Sequence, residues 1–567
     1  MSVLETRTLL DEPHHDGSEL YVEGDTLRVH APVDVESVVL RYVEDGEARG
    51  VEASRDGADW WSARLPLTNP IMNYRWLLTG GDIGYAWLNG LGLVEHDVPD
   101  ADDFVFSSDA GPDWHLRSVV YEIFPDRFAT TGAGGSPPEW AVARAWHQLP
   151  EGRSPATPFE WFGGDLPGVE AHLDHIERLG ANVIYLTPVF PAGSTHRYDA
   201  TTFEHVDPLL GGDEALASLT RAAHARGMRV ISDLTTNHTG DRHEWFTGGE
   251  RDLYLFDEGG DYEAWWGIKS LPKLNWRSPE LRRRLQHVAR KWLQPPYELD
   301  GWRVDVANMS GRTGATDLNR DVAPTLRRVL GDDSLLVAEN FHDYRPDFRG
   351  WHGVMNYAGF SRPVWAWLRG ELALNYFELP IPMPRFDATA SVATMRAFRA
   401  GVPWNFVLQS WAILDSHDSP RFRTMAGSEA RQLVGVGLQM TTPGVPMLFA
   451  GDELGLEGEW GEDARRTMPW DEPLPPLHEQ YRRLIALRRS SDALARGGLR
   501  YAYVDADVIA YVRESRDERL LCLASRAPHE PIRLPLAAEE TLYGDDPENG
   551  AFPADGPSFH VWRLTNG

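Results

Sequence analysis

Between residues 119 and 451, short apolar runs alternate with helical patterns, and this alternation constrains the chain more than any other feature. The runs are VVYEIFP (119–125), NVIYLTPVF (182–190), RVISDLTTNH (229–238), GWRVDVAN (301–308), LLVAEN (335–340), GVMNY (353–357), ILDSHD (413–418) and VPMLFAG (445–451). Helical patterns such as GVEAHLDHIERLG, EALASLTRAAHARG and EARQLVGVGLQM separate several of them. Continuous apolar strands that alternate with helices need a parallel sheet covered on both faces. Eight candidates in this order predict a closed (β/α)8 barrel, the TIM barrel, over residues 113–495. That span exceeds the roughly 250-residue norm, as barrels with inserted loops do. One insertion, about 239–275, follows the third strand and carries Trp245, Trp265 and Trp266; another follows the first strand.

Outside this region the period changes. LRVHAP, SVVLRYV, DWWSARLPL and MNYRWLLTGG alternate between polar turns, which predicts an N-terminal β-sandwich over 1–112. YAYVDADVIAYVRES and RLLCLASR read as hairpins of a small C-terminal β-sandwich domain over 496–567. The fold class is therefore α/β, with a β-domain at each end.

The balance of 85 acidic against 55 basic residues, a net charge of -30, argues against a nucleic-acid partner, because phosphate binding needs clustered Lys and Arg. Cys522 is the only cysteine, which excludes an intrachain disulfide and a zinc site built on two cysteines. MSVLETRTLLDEPHHDG has no basic segment followed by an apolar stretch, and no run approaches the length of a membrane span. A cytoplasmic location without a membrane partner is the expectation.

Three acids close different predicted strands: Asp305 in GWRVDVAN, Glu339 in LLVAEN and Asp418 in ILDSHD. Acids at strand ends of one barrel converge on its mouth. Cleavage of a sugar bond with retention needs one carboxylate as nucleophile and another as proton donor. Arg303, two residues before Asp305, shares its face of the strand. Its charge is expected to keep Asp305 ionised, while Glu339 should sit where a neutral carboxyl persists. His238 and His417 are candidate donors to sugar hydroxyls, and Asp233 is expected to hold Arg303. Any one of these acids alone is more often a helix cap or an ion-pair partner; four strand ends carrying matched acids and histidines in order are not.

DLTTNH (233–238), GWRVDVAN (301–308), VAEN and DSHD resemble, in order, the four signature regions of the α-amylase superfamily. LPKLN (271–275) is similar to a further region, MPKLN, of the branch that holds neopullulanases, cyclomaltodextrinases and maltogenic amylases. The predicted sandwich resembles the starch-binding-type N-domain of that branch. The resemblance implies Asp305 as nucleophile, Glu339 as general acid/base and Asp418 as binder of the secondary hydroxyls. It places Arg303, His238 and His417 around the sugar that is cleaved. It also matches His196 and Tyr198 in STHRYD to a His-x-Tyr element whose Tyr stacks under that sugar, and Arg465 in GEDARRTMPW to a substrate-binding Arg.

Two departures stand out. DRFATTGAGGSPPEW lacks the acids of the calcium loop common in the branch, although GGD (163–165) is kept, so the metal question stays open and a structural calcium has weak support. Gly461 replaces the first Asp of DPDxRRxMxW, which bears on distant donor subsites and product length. No organic cofactor is required. The implied substrate is an α-glucan oligosaccharide cut at α-1,4 bonds by double displacement. The same site could instead transfer the glucosyl unit to another sugar. Two further alternatives are a non-catalytic glucan-binding protein and a metal-dependent hydrolase liganded by Asp233, His238 and His417. For the N-terminal domain the resemblance offers two roles, glucan binding or formation of a homodimer.

Overall fold

The computed structural model describes residues 9–32, 34–372, 374–375 and 381–565; the first eight residues and the last two of the predicted end domains lie outside it. Residues 22–107 form two antiparallel sheets, one of four strands and one of six. In the strand Ser37–Glu44, Val38, Leu40 and Tyr42 point inward at every second position. They meet Leu27, Val29 and Trp61 from the facing sheet, with Trp76 fully buried between them. Alternation of period two thus yields the sandwich, because each strand has one face to bury.

The middle of the chain closes into a parallel barrel of eight strands. These are β1 (Val120–Ile123), β2 (Val183–Leu186), β3 (Arg229–Thr235), β4 (Gly301–Asp305), β5 (Leu335–Asn340), β6 (Gly353–Asn356), β7 (Trp411–Ile413) and β8 (Val445–Phe449). β8 pairs with β1, which leaves no sheet edge in the barrel. Val120, Tyr185, Ile231, Val337, Met355, Trp411 and Met447 fill its interior. The register sets Asp233 beside Arg303 and Thr235 beside Asp305, so neighbouring strands deliver polar groups at one level.

One strand boundary moves. β7 comprises Trp411–Ile413, and the acids of LDSHD lie in the loop beyond it. Asp415, Ser416 and Ser419 make side-chain hydrogen bonds to backbone N–H groups there, a local pattern that competes with strand pairing.

The β-sandwich expected at the C-terminus is instead one antiparallel sheet of five strands within Gly498–Leu564, which packs on the barrel helices rather than on a second sheet. Two barrel helices matter for its docking, α1 (Ala388–Arg399) and α2 (Glu429–Thr441). The sheet's inner face (Leu499, Tyr511, Leu520, Phe559, Val561) belongs to the same apolar cluster as the barrel helices. Residues 532–554 cover the other face with Ile532, Leu534, Phe552 and Ala554. Among the described residues, no helix is long and apolar enough to cross a membrane.

Candidate active site

Arg303 is fully buried at the end of β4 and organises the carboxylates that meet there. Its Nη1 lies 2.6 Å from Asp233 Oδ2 and 3.0 Å from Asp305 Oδ1, and its Nη2 lies 2.8 Å from Glu339 Oε1. Asp233 also accepts from the Tyr185 hydroxyl (2.7 Å) and the Tyr198 hydroxyl (2.9 Å). Asp233 thus holds Arg303, as the sequence suggested. Glu339 Oε2 accepts from the Val306 N–H at 2.6 Å. That N–H is aimed by a backbone with φ of 35°, an unusual conformation for a β-branched residue.

The protonation state of the pair differs from the sequence expectation. Arg303 does pull on Asp305, but burial and the charge of Glu339 outweigh it, and the Asp305 carboxyl is held well above the usual range. One guanidinium divided among three buried carboxylates cannot fully stabilise the charge of all of them. Burial raises Glu339 too, with Arg303 opposing and Asp418 reinforcing the rise. Both carboxyls are therefore raised by burial, with Arg303 opposing the rise in each.

Asp418 lies beside them on the loop after β7. Burial alone would raise it, yet His417 (Nε2 to Oδ2, 3.1 Å) and Arg465 (Nη2 to Oδ1, 2.9 Å) hold it well below the usual range. His417 is fixed on its other side by Glu122 Oε1 at 2.5 Å. Burial disfavours its charge, but Asp418 and Glu122 prevail and lift it to about 9. Its Nε2 is also 2.7 Å from the Tyr198 oxygen. A protonated His417 donates at both ring nitrogens, which frees the Tyr198 hydroxyl to donate to Asp233.

His238 is different. Burial lowers it to about 3, so it is neutral. The Asn237 amide lies 3.1 Å from Nδ1, which sets the proton on Nε2. Among the described residues that Nε2 has no hydrogen-bond partner, and it faces Asp305 Oδ2 at 3.9 Å. His196, lowered by burial to about 4, accepts the Tyr198 N–H at Nδ1 and presents its other nitrogen outward. The Tyr198 ring stacks between His196 (centroids 5.8 Å apart) and His417 (5.7 Å). Every residue singled out in the sequence for this site is thus in one connected group.

Glu122 and Tyr185 escaped notice in the sequence. Glu122 is an acid inside the apolar run of β1, and a fully buried charge in such a run was the available signal. Tyr185 reads as an ordinary core aromatic, and only the distance to Asp233 reveals it.

The residues after β1 do not fit calcium. Asp165 Oδ1 accepts from Gly168 N (2.7 Å), and Oδ2 accepts from Thr131 N (2.9 Å), Thr131 Oγ1 (3.0 Å) and Ala133 N (3.0 Å). These donors occupy the oxygens that a hard cation would need bare. The metal-dependent alternative fails on the same reasoning, since Asp233 is committed to Arg303 and both ring nitrogens of His417 are engaged, by Glu122 and by Asp418. Among the described residues, no group of three or more His, Cys, Asp or Glu is placed to hold a metal.

The alpha-amylase catalytic-domain profile matches residues 122–266 and 250–328. Neopullulanase 2 of Thermoactinomyces vulgaris is 31% identical over 526 residues, covering 86% of this chain and 83% of its own. The chain belongs to the alpha-amylase family. Another relative in this alpha-amylase family, the intracellular maltogenic amylase of Bacillus subtilis, is 30% identical over 451 residues, 74% of this chain and 70% of its own. The type III pullulan hydrolase of Thermococcus kodakarensis superposes with a TM-score of 0.73 at 25% identity, covering 97% of this chain and 100% of that one.

Proposed function

We propose that this alpha-amylase family chain is a retaining hydrolase of α-1,4-glucosidic bonds in malto-oligosaccharides, cyclodextrins or related short α-glucans. The observation that carries the reading is the single Arg303 guanidinium shared by Asp305 and Glu339. It keeps the two carboxyls side by side, which fits the closer spacing of retaining enzymes better than the wider spacing that leaves room for water.

The scissile bond lies between these acids, above the Tyr198 ring. Arg303 holds Asp305 Oδ1, which leaves Oδ2 to attack the anomeric carbon. Glu339 is the protonated partner and Asp305 the ionised one as the reaction proceeds, because positive charge growing at the anomeric carbon favours the Asp305 anion. Glu339 gives its proton to the departing oxygen, and a β-glucosyl ester forms on Asp305. Ionised Glu339 then takes a proton from water, which attacks the same carbon and releases product in the α configuration. Asp418 is an anion kept charged by His417 and Arg465. It accepts secondary hydroxyls and stabilises the oxocarbenium-like transition state, while His238 and His196 donate through their free ring nitrogens.

The test is hydrolysis of maltotriose, a cyclodextrin and pullulan, followed by NMR of the first product. The α-anomer is expected first; the β-anomer would overturn the mechanism. Asp305→Asn should lose at least about a thousandfold in kcat with folding intact. Glu339→Gln should lose far more on maltotriose than on an aryl glucoside, whose leaving group needs no proton. Sizing products with excess acceptor separates hydrolysis from transfer.

A cytoplasmic location and a homodimer through the N-terminal sandwich complete the proposal. The intracellular relative and the single buried thiol of Cys522 support the first. Cell fractionation tests the location. Sedimentation of the whole chain against one that lacks the sandwich tests the dimer.

A further inference from the structure

Far from the barrel mouth, a cavity of ≈ 1320 Å³ opens where the N-terminal sandwich, α1 and the C-terminal sheet meet. It shares no lining residue with the candidate active site, and it exceeds the roughly 300–1,000 Å³ of most small-molecule sites. One wall holds Arg396 and Arg399, one turn apart at the end of α1. Among the described residues neither pairs with a carboxylate. The Arg396 guanidinium lies over the Tyr501 ring at 4.8 Å, and that of Arg399 over Trp404 at 6.0 Å.

Most acids around the cavity are already committed. Asp16 accepts from Ser18 N (2.9 Å) and Leu499 N (3.0 Å), and Asp103 is paired with Arg75 at 2.9 Å. Glu12 acts on Arg396 through its charge, and Asp11 is exposed at the rim. Arg500, also in the wall, spends its Nη2 on the carbonyls of Leu10 and Glu12, and among the described residues its buried Nε has no partner. The C-terminal end of α1 supplies about half a negative charge, so neither guanidinium has a full counter-charge in contact. Like charges one turn apart repel, and burial without a counter-ion adds to the cost. Burial weakens the hold of Arg396 on its proton, with Tyr501 and Glu12 opposing and Arg399 adding to the effect.

We propose that this cavity binds a phosphate monoester of hexose size, its phosphate gripped between Arg396 and Arg399. A dianion balances two guanidinium groups, and their planar donor forks match phosphate oxygens. A carboxylate would neutralise only one of them. Beyond the arginines, Leu88, Leu91 and Val402 give the cavity an apolar side that inorganic phosphate would leave uncovered. A methyl group added at Gly92 would fall 3.9 Å from Arg396 Nη1, so this guanidinium sits beside the sandwich.

Calorimetry on the full chain at constant ionic strength tests this with glucose 6-phosphate, inorganic phosphate and glucose as probes. Glucose 6-phosphate should bind at least about tenfold more tightly than inorganic phosphate, and glucose should not bind at this cavity. Arg396→Gln with Arg399→Gln should weaken the ester at least about tenfold, whereas Asp305→Asn should leave its affinity unchanged. Should the double variant not fold, Arg399→Gln alone reads the same loss. Equal affinity for ester and inorganic phosphate, an unchanged affinity in the arginine variants, or loss of binding in Asp305→Asn would each overturn the proposal.

Discussion

His417 shows how one residue can tie function to pH. Glu122, Asp418 and Tyr198 surround its ring, and the two anions raise it from 6.5 to about 9. A raised folded-state value means that its contribution to stability is complete below pH 6.5 and disappears as pH climbs through 9. The amount is at most about 3 kcal/mol. His417→Asn keeps hydrogen bonding but cannot titrate. The gap in thermal midpoint between parent and variant should therefore be widest below pH 6.5 and close by about pH 9. A gap that stays constant over this range would mean that the imidazole is neutral when buried. Asp418 behaves oppositely: its depressed value makes its contribution present at neutral pH and lost on acidification.

At the scale of elements, the loop after β3 brings two indoles beside the candidate active site. Trp265 and Trp266 stack at 4.5 Å, and Trp265 lies 5.8 Å from His238. Trp266 is 56% exposed with φ of 49°, a conformation that costs a bulky side chain about 1–3 kcal/mol. A strained, exposed indole beside the site fits a platform for a more distant sugar. Trp266→Gly should raise the thermal midpoint by removing the strain, yet raise KM for maltotriose and longer chains by about tenfold. If KM is unchanged, the stack serves the loop alone. The barrel strands were legible because buried parallel strands are near-continuous in apolar residues. Asp305 and Glu339 stood out as charges that interrupt such runs. The end of β7 was not legible, because Ile413 and Leu414 continue the apolar run while side-chain hydrogen bonds already turn the backbone. The proton balance between Asp305 and Glu339 was also hidden: Arg303 is visible in the sequence, but its division among three partners is a property of space.

For the whole molecule, the decisive contact is the one between α2 and the C-terminal sheet. Gly437 faces Phe559, and a Cβ there would collide with the ring. Gly437→Ala should destabilise the chain by about 1–3 kcal/mol through overpacking, even though alanine is the better helix former. Urea unfolding checks the sign; a stabilised variant would mean that the sheet floats on the helix. The sandwich at the other end is held by more polar links, such as Arg345 to Asp102 and Arg327 to Asp109, both at 3.1 Å. High salt should loosen that end first.

The inner face of the last sheet shares its apolar side chains with the helices that wrap the barrel, so the two surfaces have no water-compatible boundary between them. Truncation before residue 498 would strip oil from a wall never built to be wetted, and the shortened polypeptide would clump rather than survive as a smaller catalyst. Any lineage that trims this tail must first repaint α2 with polar residues.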